Sequence, residues 1–112
     1  MKSEDQPEMK DFLQIETKIV EALKGVYDPE IPVNVYDLGL IYDVAVDGNH
    51  SVTITMTLTA PNCPLADFIV LQVKESVEAI EDVNSVDIRL VFDPPWSKDM
   101  MSEEAMLELG LL

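Results

Sequence analysis

Cysteine occurs once in this 112-residue chain, at Cys63, and histidine once, at His50. A single thiol excludes an internal disulfide framework. It also leaves the chain unable to supply alone the four thiolates of an iron-sulfur cluster or the four cysteine and histidine ligands of a structural zinc. Bases are scarce too: 7 lysines and arginines against 22 carboxylates give a formal net charge of −15. Such a field repels phosphate backbones, which excludes nucleic acid as a partner and favours cationic or apolar ones. The four glycines, Gly25, Gly39, Gly48 and Gly110, form no Gly-x-x-Gly loop, which removes the KH-type RNA module that a related strand and helix order would suggest. No apolar run approaches the roughly 20 residues of a membrane helix. Met1 to Glu8 is acidic and polar where a secretory signal needs a basic start and an apolar run. A soluble cytoplasmic protein with Cys63 kept reduced is expected.

What the chain does have is periodicity. Residues 1–10 show none and read as a flexible tail, and residues 11–112 form one domain. From Asp11, a candidate N-cap, Phe12, Ile15, Ile19, Val20 and Leu23 follow the spacing of a one-faced helix that Gly25 ends. Asp28-Pro29-Glu30-Ile31-Pro32 is a loop, because each proline disfavours helix at the residue before it. Leu40 to Val46 and Ser51 to Thr59 read as a hairpin about the turn Asp47 to His50. In the second strand Val52, Ile54, Met56 and Leu58 alternate with threonines, so one face is core. Leu65, Phe68, Ile69, Val73, Val77 and Ile80 mark a second helix, and Val86 to Phe92 a third strand. Ser102-Glu103-Glu104 starts a short closing helix.

The order α-β-β-α-β predicts an α/β two-layer sandwich, a three-stranded mixed sheet with two helices on one face. In a hairpin the first strand starts beside the end of the second, and the crossover helix returns the third strand parallel to the second. Three loops therefore converge at one end of the sheet: Asp28 to Pro32, the Cys63 junction, and Asp93 to Trp96. His50 falls at the other end, as a surface turn residue.

Cys63 lies in Thr59-Ala60-Pro61-Asn62-Cys63-Pro64, where strand gives way to helix. Pro61 cannot donate to a ladder and Pro64 suits a first helical position. Cys63 then stands close to an N-cap, where unpaired N–H groups and the helix dipole favour the thiolate, while the acidic field opposes it. A buried, inert thiol is the other reading. Around it the converging edge offers Asp28, Glu30, Thr57, Thr59, Asn62 and an aromatic lid in Trp96. One thiol with hard oxygen ligands is an incomplete metal site, so a cluster would have to be shared between chains. No histidine stands at this edge to serve as base, which argues against a thiol enzyme.

Those residues carry a resemblance. Asp28-Pro29-Glu30-Ile31-Pro32, Val35 to Tyr42, Met56 to Pro64 and Asp93-Pro94-Pro95-Trp96 occur in the order found in SufT-like iron-sulfur cluster assembly accessory proteins. That family includes the N-terminal part of PaaD and the domain of the eukaryotic cytosolic iron-sulfur targeting subunit. The match runs from about Ile15 to Trp96, without the cysteine-rich segment of PaaD-type members. The resemblance implies an iron-sulfur assembly fold, Cys63 as functional cysteine, and Asp28, Glu30 and Thr59 as its motif companions. It implies a role in maturing iron-sulfur proteins, without implying whether cluster, iron or only the client is carried; the leading expectation is a non-enzymatic factor that holds, transfers or delivers iron-sulfur cargo through Cys63, with the assembly machinery and client apoproteins as partners. A transient cluster or iron on Cys63, bridging a homodimer, is the expected cargo. The alternative is a metal-free adaptor that recruits clients.

Overall fold

Ile15, Ile19 and Leu23 recur every fourth residue and are fully buried, the stripe that fixes the first helix, α1, Asp5–Leu23. In the computed structural model, which describes residues 5–28, 31–59 and 66–111, this helix begins at Asp5, not at the Asp11 expected. Pro7 falls in the first turn, where its missing N–H breaks no helical bond, and Glu8, Met9 and Lys10 are good helix formers. With no apolar stripe of their own, these residues read as tail. At the other end the Gly25 N–H closes on the Ala22 carbonyl at 3.0 Å. The chain then folds back, with Tyr27 bridged to Asn34 and the Val35 N–H bonded to the Val26 carbonyl at 2.8 Å. Val26, Val33, Val35 and Leu38 are thereby turned into the core.

The hairpin forms as the alternation predicts. Strands β1, Ile41–Val46, and β2, Ser51–Met56, pair antiparallel from Val46 opposite Val52 to Ile41 opposite Met56, with an irregularity between Ile41 and Asp43. Its turn is held by Asp47, whose Oδ1 accepts from the Asn49 and Ser51 N–H groups at 2.8 and 3.0 Å. His50 sits there at φ +62°, a left-handed conformation that histidine tolerates better than most residues. Helix α2, Ala66–Glu78, buries Ile69, Val73 and Val77. It leads to β3, Ser85–Leu90, which runs parallel to β2 from Ser51 opposite Ser85 to Met56 opposite Leu90. Strand order is β1-β2-β3, and α1 and α2 pack on each other, on β1 and on β3 respectively. The expected two-layer sandwich with a three-stranded mixed sheet is what forms.

β2 stops at Met56 and not at Thr59, because its neighbours run out: β1 begins at Ile41 and β3 ends at Leu90. A 3₁₀ turn, Lys98–Met100, then leads to helix α3, Glu103–Glu108, where the Ser102 Oγ accepts from the Ala105 N–H at 3.1 Å as an N-cap. Gly39, at φ +83°, lies so close to the 3₁₀ turn that a Cβ there would fall on the Met100 carbonyl. Only glycine satisfies both demands.

Candidate functional site

The ends of the sheet differ in what they bring together. At one end the Thr57 N–H bonds the Leu40 carbonyl at 2.8 Å and the Val91 N–H bonds the Met56 carbonyl at 2.8 Å. The entrance to β1 and the exits of β2 and β3 therefore meet, and α2 starts from this end. At the other end the Asn84 N–H bonds the His50 carbonyl at 2.9 Å, and His50 Nδ1 lies 3.0 Å from the Asp82 carbonyl oxygen. His50 is thus placed away from the loops, as its turn position predicts.

Each expected site residue has a distinct position. Asp28 is buried; its Oδ1 accepts from the Ile31 N–H at 3.0 Å and its own N–H donates to the Val33 carbonyl at 3.3 Å. It shares a cavity of about 400 Å³ with Tyr27 and with Phe68 and Gln72 of α2. Loop and helix start are therefore neighbours. Thr59 is half-buried in the bend after β2. Glu30, Asn62 and Cys63 lie outside the described residues. Trp96 is not poised as a lid: its indole N–H donates to the Leu38 carbonyl at 2.7 Å and its ring packs on the core. It fastens the loop after β3 to the segment before β1.

Thr57 is the unusual member. It is wholly enclosed, and its hydroxyl has no hydrogen-bond partner among the described residues. An enclosed hydroxyl without a partner forfeits about 1–3 kcal/mol. It lies six positions before Cys63 in sequence. Thr53 and Thr55, on β2 just before it, are half-exposed and incur no such penalty.

Two features escaped the sequence reading. The Tyr42 hydroxyl donates to the Pro94 carbonyl at 2.7 Å and reaches Met100 Sδ at 3.6 Å, tying β1 to the loop after β3. Asn34 and Asp37 bond reciprocally: Asn34 Nδ2 donates to Asp37 Oδ2 and the Asp37 N–H donates to Asn34 Oδ1, both at 2.8 Å. The Asn-x-x-Asp spacing was the available signal for the second. A lone tyrosine offers no comparable signal for the first.

With this geometry in place, comparison with known proteins is direct. Residues 16–88 match the family described as iron-sulfur cluster assembly protein. This chain belongs to that family. A relative named Fe-S protein maturation auxiliary factor, from Porphyromonas gingivalis, is 65% identical over 91% of this chain and 97% of its own. The Fe-S protein maturation auxiliary factor YitW of Bacillus subtilis is 41% identical over 87% of this chain and 95% of its own. Among solved structures, a domain of unknown function from Bacillus anthracis superposes with a TM-score of 0.82 at 41% identity, covering 88% of this chain and 94% of that one. The iron-sulfur assembly family member described here thus shares its fold and nearly its whole length with these proteins. No helix among the described residues is long and apolar enough to cross a membrane.

Proposed function

We propose that this protein is a non-enzymatic maturation factor for iron-sulfur proteins, acting in the cytoplasm on client apoproteins together with the assembly machinery. The observation that carries the reading is 65% identity, across 91% of the chain, to a protein named for that role. The fold supports it by gathering Thr57, Asp28 and the start of α2 at the end of the sheet from which the Cys63 segment departs.

Cys63 is the residue assigned to the cargo. One thiol per chain gives at most two protein thiolates in a homodimer, so a cluster held by this protein bridges two chains. The remaining positions fall to carboxylates, a small thiol or the client, which exchange more readily than a full cysteine cage. Glu30 and Asn62, in the same motifs, are assigned to the cargo's surroundings. The charge of −15 disfavours an anionic thiolate cluster and so promotes its release.

Anaerobic reconstitution with iron and sulfide tests this, with absorbance, metal per chain and oligomeric size measured for wild type beside Cys63→Ser. The expected result is a labile chromophore in a dimer, absent from the variant. A monomer that keeps a complete cluster through gel filtration refutes the bridging arrangement. Failure of wild type to take up any metal, with client maturation intact, refutes the carrier role and leaves recruitment of clients.

A further inference from the structure

A second cavity, of about 490 Å³, opens between Tyr27, residues 32–37 and helix α3, and neither Thr57 nor Asp28 is among the described residues that line it. Its lining includes the buried side chains Val33 and Ala105. Two large apolar side chains beside it face solvent: Tyr27 is 55% exposed and Leu107 62%. Three carboxylates, Asp37, Glu104 and Glu108, belong to the lining, and among the described residues no lysine or arginine takes part in it. Among the described residues none of the three is in an ion pair; Asp37 spends an oxygen on the Asn34 amide.

We propose that this groove docks a basic segment of a partner protein, one that alternates lysine or arginine with aliphatic residues. Long cationic side chains lay an apolar stem along such a wall while the charged head meets the carboxylates. The volume lies within the range of about 300–1,000 Å³ that takes a ligand of a few residues. A second copy of this chain is the wrong occupant, because a two-fold contact would set Glu104 and Glu108 against their own equivalents in a molecule of charge −15.

The probe is the peptide acetyl-KLRLK-amide, titrated into the ¹⁵N-labelled full chain and followed by amide shifts. Shifts are expected to concentrate on Tyr27, Val33 and residues 104–108, and binding to weaken at least about tenfold as ionic strength rises from about 0.05 to about 0.5 M. Glu108→Lys and Leu107→Ser are exposed changes in α3 that leave the core untouched, and a cation suits the C-terminal end of that helix. Each is expected to weaken the peptide several-fold, and the pair about tenfold. Glu78→Lys, the same charge change at the end of α2, is the control and is expected to have little effect. Equal weakening by Glu78→Lys, shifts spread over the whole acidic surface, or equal binding of acetyl-ELELE-amide would overturn the proposal. So would a dimer in sedimentation that Leu107→Ser dissolves. No metal enters the measurement, so a failure to bind cargo leaves this result unaffected.

Discussion

Replacing Thr57 by valine should make the protein more stable and less competent. The two side chains have nearly the same shape, so the substitution removes the hydroxyl and leaves packing in place. Ordinarily that exchange is unfavourable, because the hydroxyl of a buried threonine is bonded. Here it has no partner among the described residues and the side chain is fully enclosed. Relieving a desolvation penalty of about 1–3 kcal/mol, less a small loss of fit, predicts a gain of about 1 kcal/mol, or about 4 °C in melting temperature for a domain of this size. Urea denaturation gives the energy directly, with Thr55→Val, half-exposed on β2 two residues earlier, as a control that should shift little. If the hydroxyl is kept for the cargo, the stabilised variant should mature client proteins more slowly. This is the usual trade where a site holds an unsatisfied polar group. A variant destabilised by about 1 kcal/mol or more would refute the reasoning, since it would show that the hydroxyl is bonded in the folded protein.

Cys63→Ser should change stability by less than about 0.5 kcal/mol yet abolish client maturation; a variant melting far below wild type would make the thiol structural instead. Gly39→Ala combines φ +83° with a Cβ set on the Met100 carbonyl, and should destabilise by about 2–4 kcal/mol. Gly48→Ala, where an added Cβ meets nothing within 4 Å, is its control, and equal melting temperatures for the two variants would refute the argument. At the far end the Lys18 ammonium, hydrogen-bonded to Asp82 at 2.6 Å, holds that carboxyl below its ordinary value, with His50 adding to the effect. A lowered carboxylate pKa stabilises above the unfolded value of about 3.9, and that contribution is lost as pH falls through the folded value. The difference in melting temperature between wild type and Asp82→Asn should therefore shrink below about pH 4, and a constant difference would exclude the pair as its source.

Much of the fold was legible because its signals are local and repeated. The valine, isoleucine and methionine alternation of β2, the four-residue stripe of α2 and the Ser102 cap each state their structure within a few residues. What was illegible depends on neighbours distant in sequence. The alternation continues to Thr59, but the strand ends at Met56, where its partners end, and Met56, Thr57 and Leu58 are all buried. Three threonines identical in type, Thr53, Thr55 and Thr57, thus have two different environments. The first turns of α1 lack an apolar face and read as tail. Trp96 shows the same limit at the site: residue type suggests a lid or a plug, and only the bond to the Leu38 carbonyl decides.

The distribution of hydrogen bonds separates the tasks of the two ends. At the hairpin end polar side chains tie neighbouring elements together: Ser85 Oγ to Ser51 Oγ at 3.0 Å, the Asn84 amide to the Asn49 carbonyl, His50 to the Asp82 carbonyl, and Lys18 of α1 to Asp82. Helix α1, the hairpin and the α2 to β3 turn are clamped there, at the end of the sheet opposite Thr57. At the loop end an enclosed hydroxyl goes without a partner among the described residues, and a cavity of about 400 Å³ is lined by both Asp28 and α2. Unsatisfied polarity and loose packing lower local stability, which is where segments that must rearrange around a cargo are found. Substitutions in the clamp should therefore move stability without moving client maturation. For Thr57→Val at the loop end, the two should move in opposite directions.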